Sequence, residues 1–253
     1  MTSVAPSSRL VALLEGRGTV LVLTGAGVSK ESGIATFRDA GGVWEGIDPM
    51  QVATPRAFAA DPHFVWRFYD ARRAQAAGAQ PNAAHRAIAA IEATGRPFLL
   101  ATQNVDGLHE RAGSSNLVRL HGSLWQLRCT ACGIEHEDLR PTLAPLPPRC
   151  AACGGMLRPG VVWFEEPLPM VEFGRAERAA RSAELVLLVG TSSLVYPAAS
   201  LQSVAIAAGA YVVEINPEPT PFSDEASERL AGAAGVVLPA LLEAAGIPMD
   251  RAA

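Results

Sequence analysis

The hydrophobic positions of this chain fall into short unbroken runs separated by stretches with helical spacing. Val20 to Leu23, Phe98 to Thr102, Val118 to His121, Leu185 to Val189 and Tyr211 to Ile215 are such runs. Continuous apolar runs of this length predict strands buried on both faces, as in a parallel sheet between helical layers. The intervening signals are helical. Ser8 to Glu15 is amphipathic. Thr54-Pro55 and Asp61-Pro62 each set a capping residue before a proline at the first helical position. A short helix is therefore expected from Pro55, and a longer one from Pro62 to about Ala77 with Gly78 as its stop. Asn82 caps Ala83 to Ala93, and charged or small-residue helices are expected over Glu172 to Ser182 and Ala198 to Ala208. The tail predicts one more strand near Gly235 to Leu238 and a last helix from Pro239 to Ala245. Alternating strands and helices predict an α/β fold built on a doubly wound parallel sheet. Trp125 to Pro159 breaks the alternation, is rich in proline, and reads as an irregular insert.

Composition narrows the setting more than the fold. The chain has 253 residues, 49% of them hydrophobic, so one large domain or a large and a small one can be buried. A net charge of −4 gives no electrostatic reason to expect nucleic-acid binding. No apolar run approaches the roughly 20 residues needed to span a bilayer. The N-terminal residues lack the basic flank and apolar core of a secretory signal, so a cytoplasmic location without membrane contact is expected. Lys30 is the only lysine, against twenty arginines. A given arginine is therefore weak support for a functional role.

The chemistry gathers at strand ends. The first strand runs into Thr24-Gly25-Ala26-Gly27, a strand–glycine turn–helix sequence of the kind that cradles phosphate. Lys30 stands where the dinucleotide fingerprint needs its third glycine, so the turn alone is a weak signal. Three other strand ends carry small or polar residues: Gln103-Asn104-Val105-Asp106, Gly190-Thr191-Ser192 and Asn216. A parallel sheet puts all four on one edge, which suits a long ligand with phosphates, riboses and a carboxamide, such as NAD. Cys129, Cys132, Cys150 and Cys153 form two C-x-x-C pairs separated by 17 residues, each closely followed by glycine. That spacing predicts one structural Zn²⁺ in a closed four-thiolate shell. On the helix from Pro62, Val65, Tyr69 and Arg72 share one face.

Seven motifs in order give a specific resemblance. They are GAGVSKESGIATFRD, TQNVDGLH, LHGS, the two C-x-x-C knuckles, RPGVVWFEEPLP, GTSSLVYPA and EINPE, spanning about Leu21 to Leu238. On these the chain resembles the sirtuins, NAD-dependent protein-lysine deacylases. The resemblance implies a Rossmann-like domain over 1–38, 82–122 and 160–253. A smaller domain would combine a helical part, 39–81, with a zinc-binding part, 123–159. It implies His121 as general base, with NAD held by Gly25, Ala26, Gly27, Ser29, Ile34, Phe37, Arg38, Gln103, Asn104, Val105, Asp106, Gly190, Thr191, Ser192, Asn216, Pro217, Glu218 and Ala234. NAD would be consumed as a co-substrate, releasing nicotinamide and passing the acyl group to ADP-ribose. Val161, Val162, Trp163 and Phe164 would pair as a strand with an acyl-lysine peptide. Tyr69 and Arg72 match the Y-x-x-R pattern of the branch that removes succinyl and malonyl groups. Glu165 departs from the family, which usually has glycine there. Mono-ADP-ribosyl transfer from the same NAD site, and a non-catalytic NAD-binding regulator, remain alternatives.

Overall fold

The computed structural model describes residues 5–36 and 46–249. Phe37 and Arg38, two of the residues expected to meet NAD, lie outside that set. Helix α1 (Ser8–Glu15) leads into β1 (Val20–Thr24), a 3-10 segment over Ala26–Ser32, then α2 (Pro55–Ala60), α3 (Pro62–Gly78) and α4 (Ala83–Glu92). Next come β2 (Phe98–Thr102), α5 (Leu108–Arg111), β3 (Leu117–Arg119), β4 (Gly122–Cys129), β5 (Glu135–Glu137) and β6 (Leu157–Val161). The chain closes with α6 (Met170–Ser182), β7 (Leu185–Val189), α7 (Ser200–Ala207), β8 (Tyr211–Asn216), β9 (Glu228–Ala231) and α8 (Ala234–Ala244).

Six strands form one sheet in the order β3-β2-β1-β7-β8-β9, and every pairing is parallel. Strands β1, β2 and β7 are buried along their whole length, as their unbroken apolar runs require. Odd and even residues serve opposite faces. Val20 and Val22 pack with Leu10, Ile88 and Leu238 on one side, while Leu21 and Leu23 pack with Ala180, Leu188 and Leu201 on the other. The winding reverses between β1 and β7, so the crevice for a ligand opens at the carboxyl ends of these two strands.

A second body is built differently. Strands β5-β4-β6 form an antiparallel sheet that packs against α2 and α3 through their own apolar cluster, including Phe58, Val65, Trp66, Leu124, Leu127 and Trp163. The Trp66 indole donates to the Leu157 carbonyl at 2.8 Å. The buried guanidinium of Arg73 donates to the carbonyls of Leu124, Asp138 and Arg140 and lies over the Trp125 ring.

Three expectations are corrected. Trp125 to Pro159 is not wholly irregular, since β4 and β5 form a hairpin within it and β6 joins at its end. Val118 to His121 is not one strand. Strand β3 ends at Arg119 and β4 begins at Gly122, where a φ of +72° and the approach of the Gly160 carbonyl admit only glycine. Gly235 to Leu238 is helical rather than extended. Ala234, Leu238, Leu241 and Leu242 are buried at spacings of four, three and one, so the run is one face of α8, with Pro239 inside the helix. The tail strand is the more polar Glu228–Ala231, at the sheet edge. Among the described residues, no helix is long and apolar enough to cross a membrane.

Candidate active site

The two glycine turns meet at the reversal point of the sheet. Gly25 donates to the Val189 carbonyl at 3.1 Å, and Gly27 to the Gly190 carbonyl at 2.9 Å. A Cβ on either glycine would sit 2.8 Å from Gly190 backbone atoms, so the turns interlock only because both lack side chains. The glycines are thus explained first by turn-on-turn packing. Two amides expected to face a phosphate are already engaged inside the protein.

Around this lock the strand ends are tied side to side. Gln103 Nε2 donates to Thr191 Oγ1 at 3.1 Å, and Asn216 Nδ2 donates to the Thr191 carbonyl at 2.8 Å. Ser192, Pro217 and Glu218 are exposed beside them, Gly190 is half-buried, and Ile34 is buried against the small-sheet cluster. Ala234 begins α8, whose next amide, on Gly235, donates to Glu31 Oε2 at 2.7 Å.

Beside the lock lies a buried polar cluster. Ser29 Oγ donates to Asp106 Oδ2 at 2.8 Å and accepts from Asn104 Nδ2 at 3.2 Å, with His85 Nε2 at 3.4 Å. Asp106 is 5% exposed, and burial raises its pKa against the pull of the Leu108 amide and the Ser29 hydroxyl. Burial holds His85 down to about 4 and His109 well below its ordinary value, so both are neutral parts of the floor. Sequence reasoning missed Trp125, whose indole donates to the Asp106 carbonyl at 2.7 Å and carries the contact from β4 to the cluster. Leu124 does the same for Val105, donating its amide to that carbonyl at 2.9 Å.

His121 sits in the turn between β3 and β4, half-buried. Its Nδ1 is 3.2 Å from the Gln103 carbonyl. A carbonyl can only accept, so Nδ1 carries the proton and Nε2 presents a lone pair. Burial lowers the His121 pKa below its ordinary value, and the bond to Gln103 offsets part of that. The ring is therefore neutral, with Nε2 free of a proton.

On α3, Tyr69 is buried and Arg72 half-buried, one turn apart. Burial lowers the Arg72 pKa, while the neighbouring Tyr69 and Asp106 favour its charge. The Tyr69 hydroxyl accepts from Trp163 Nε1 at 2.9 Å. The stretch after β6 is already partly bonded: Val162 donates to the His121 carbonyl, Trp163 to Glu166 Oε2 and Phe164 to the Ala53 carbonyl. Its carbonyls are partly engaged as well, Val161 accepting from Arg158 Nη2 at 2.9 Å and Trp163 from the Glu166 amide at 3.1 Å. The Phe164 side chain is exposed, and Glu165 has a φ of +72°.

The four cysteine sulfurs lie within 4.8 Å of one another. Cys129 and Cys153 are 3.5 Å apart, Cys132 and Cys150 3.8 Å. These are edges of a tetrahedron with metal–sulfur distances of about 2.3 Å, and far too long for disulfides. Gly133 and Gly154, at φ of +75° and +72°, return amides to the Cys129 and Cys150 carbonyls and close the knuckles. The donor set fits one structural Zn²⁺ with no open position.

A doubly wound sheet, a four-cysteine module and a histidine held by the Gln103 carbonyl beyond the end of β2 define a class, and residues 25–197 match the Sir2 family model. The chain belongs to the Sir2 family, the sirtuins. It is 50% identical over 244 residues to NAD-dependent protein deacylase 1 of Pseudomonas aeruginosa, covering 93% of this chain and 98% of that one. It is 54% identical over 214 residues to the NAD-dependent protein deacylase of Thermus thermophilus, covering 83% and 84%. Among solved structures, a Sir2 homologue in complex with NAD superposes with a TM-score of 0.91 at 43% identity, covering 97% of this chain and 96% of that one. A Sir2 variant holding a deacetylated peptide and 3′-O-acetyl-ADP-ribose superposes at 0.85 with 30% identity, covering 95% and 98%.

Proposed function

We propose that this protein is an NAD-dependent protein-lysine deacylase whose acyl tunnel accepts chains ending in a carboxylate, succinyl or malonyl, as well as acetyl. The relatives' names and the ligands in their structures support the reaction class. The acyl reading is carried by one observation: Tyr69 and Arg72 lie one turn apart on the α3 face that meets Trp163. Burial raises the Tyr69 pKa, so its phenol stays a neutral donor. Beside it, Arg72 supplies the positive charge that a carboxylate end needs.

In this reading NAD lies across the carboxyl ends of β1, β2, β7 and β8 and is consumed, giving nicotinamide and an acyl-ADP-ribose. Asn104, Asp106 and Ser29 hold the nicotinamide half, with Gln103, Val105 and Ile34 around it. Ala26 and its flanking glycines shape the phosphate turn, and Phe37 and Arg38 are counted among the NAD contacts. Gly190, Thr191, Ser192, Asn216, Pro217, Glu218 and the backbone at Ala234 line the adenosine half. His121 Nε2 takes a proton from a ribose hydroxyl and so turns it into a nucleophile. Val161 to Phe164 pair with the peptide, while the zinc module fixes β4 and β6, which carry the flanks of that site. Residues 1–38, 82–122 and 160–253 act as the NAD-binding unit, and 39–81 with 123–159 as the smaller one.

The test compares one peptide bearing acetyl-lysine or succinyl-lysine in wild type and Arg72→Met. A charge-assisted hydrogen bond contributes about 1.5–3 kcal/mol, so Arg72→Met should lower succinyl over acetyl preference by roughly 10- to 100-fold. Equal use of both acyl groups by wild type, unchanged in the variant, would leave a plain deacetylase.

A further inference from the structure

A phenol has one proton and can direct it to only one acceptor. In this protein the choice is made from behind. Trp163 is 3% exposed, and its Nε1 lies 2.9 Å from the Tyr69 hydroxyl oxygen. An indole N–H donates and cannot accept. The Tyr69 oxygen must therefore accept on that side, and its own proton must point elsewhere. The two rings are 6.3 Å apart and tilted, and the Phe58 ring packs on the indole at 5.3 Å, so apolar packing helps hold the indole at this angle.

The indole is itself polarised. The Arg158 guanidinium lies 3.4 Å from the Trp163 ring centroid. A cation on the ring face draws electron density from it and strengthens the N–H as a donor. Arg158 is clamped by Glu166 at 2.5 and 2.9 Å and also donates to the Val161 carbonyl at 2.9 Å. Glu166 accepts the Trp163 amide at 2.8 Å, so one carboxylate fixes both the ring's backbone and the cation above it. Burial alone would raise the Glu166 pKa, but Arg158 and the Trp163 amide bring it below its ordinary value, so the clamp is charged.

We propose that Trp163 is a positioning residue for acyl specificity: its indole N–H occupies the rear of the Tyr69 hydroxyl and commits the phenolic proton to the acyl tunnel. The proton is then available to a carboxylate held by Arg72. This rests on the carboxylate-accepting reading of Tyr69 and Arg72. It assigns the selectivity to a four-residue chain, Glu166–Arg158–Trp163–Tyr69, and not to the Y-x-x-R pair alone. Acetyl ends in a methyl group and makes no use of the proton.

The experiment is a double-substitution cycle read as the ratio of kcat/KM for succinyl-lysine and acetyl-lysine on one peptide. The ratio does not depend on the fraction of enzyme that is folded. Trp163→Phe keeps an aromatic ring and removes the N–H. It should lower the ratio by about tenfold, mainly through a higher KM for the succinyl peptide. In a Tyr69→Phe background the same change should leave the ratio unaltered, because no phenol remains to orient. Should Trp163→Phe yield no active protein, Trp163→Leu is read in the same cycle. An unchanged ratio in Trp163→Phe, or an equal fall with and without Tyr69, overturns the proposal while leaving the carboxylate reading intact. No succinyl preference in wild type overturns both.

Discussion

His121 owes its chemical state to one neighbour. The Gln103 carbonyl holds the proton on Nδ1, and burial keeps the imidazole neutral at lower pH than in water. The sign of the pH dependence follows. The protonated ring is inactive, so kcat/KM for an acetyl peptide should rise with pH through the His121 pKa and then level. Because that pKa lies below the ordinary 6.5, the acid limb should be centred below it. A profile from about pH 5 to 8 checks this, and a midpoint above 6.5 contradicts it. At this scale the sequence was informative where a residue type has one use. The cysteine spacing foretold the sulfur cluster. Trp125, Trp163 and Arg73 were not legible, since a buried aromatic or an arginine among twenty looks the same whether or not it reaches the site. Their roles depend on contacts with residues 19, 94 and 51 positions away.

At the scale of elements, the turns matter more than the strands they join. The Gly25–Gly27 and Gly190 turns interlock at Cβ-excluding distances, which the strand–glycine–helix pattern foreshadowed without giving the reason. The turn after β6 is less comfortable. Glu165 takes a left-handed conformation, φ +72°, that costs a residue with a side chain roughly 1–2 kcal/mol. Glycine there would remove that cost and give back about 0.5–1 kcal/mol in chain entropy. Glu165→Gly should therefore stabilise the protein by about 0.5–1 kcal/mol, read as a shift in urea midpoint at unchanged slope. A loss of stability would contradict the strain. The helix ends were legible because their caps are local: Thr54, Asp61 and Asn82 each accept a first-turn amide. The tail was not, because a short apolar run such as Gly235 to Leu238 fits a buried strand and a buried helix equally well. Only its packing against the sheet decides.

Across the whole molecule, the parallel sheet and the small antiparallel sheet each have their own apolar core. The parallel sheet supplies Ser29, Asn104, Asp106 and His121 with its connections. The small antiparallel sheet and α3 supply Tyr69, Arg72 and Trp163. The alternation of strands and helices made the first body readable from sequence, whereas the second was visible in its capped helices, cysteines and prolines but not in its small sheet, whose β5 is short, polar and exposed. The reaction proposed for these residues is an NAD-consuming acyl transfer. The most direct measurement follows one acyl-lysine peptide with NAD by mass spectrometry, counting nicotinamide, free-lysine peptide and acyl-ADP-ribose in one time course. The three should appear in equal amounts, and His121→Ala should abolish the free-lysine peptide. Nicotinamide released with ADP-ribose fixed on protein and no deacylated peptide would contradict it, and would point to ADP-ribosyl transfer instead.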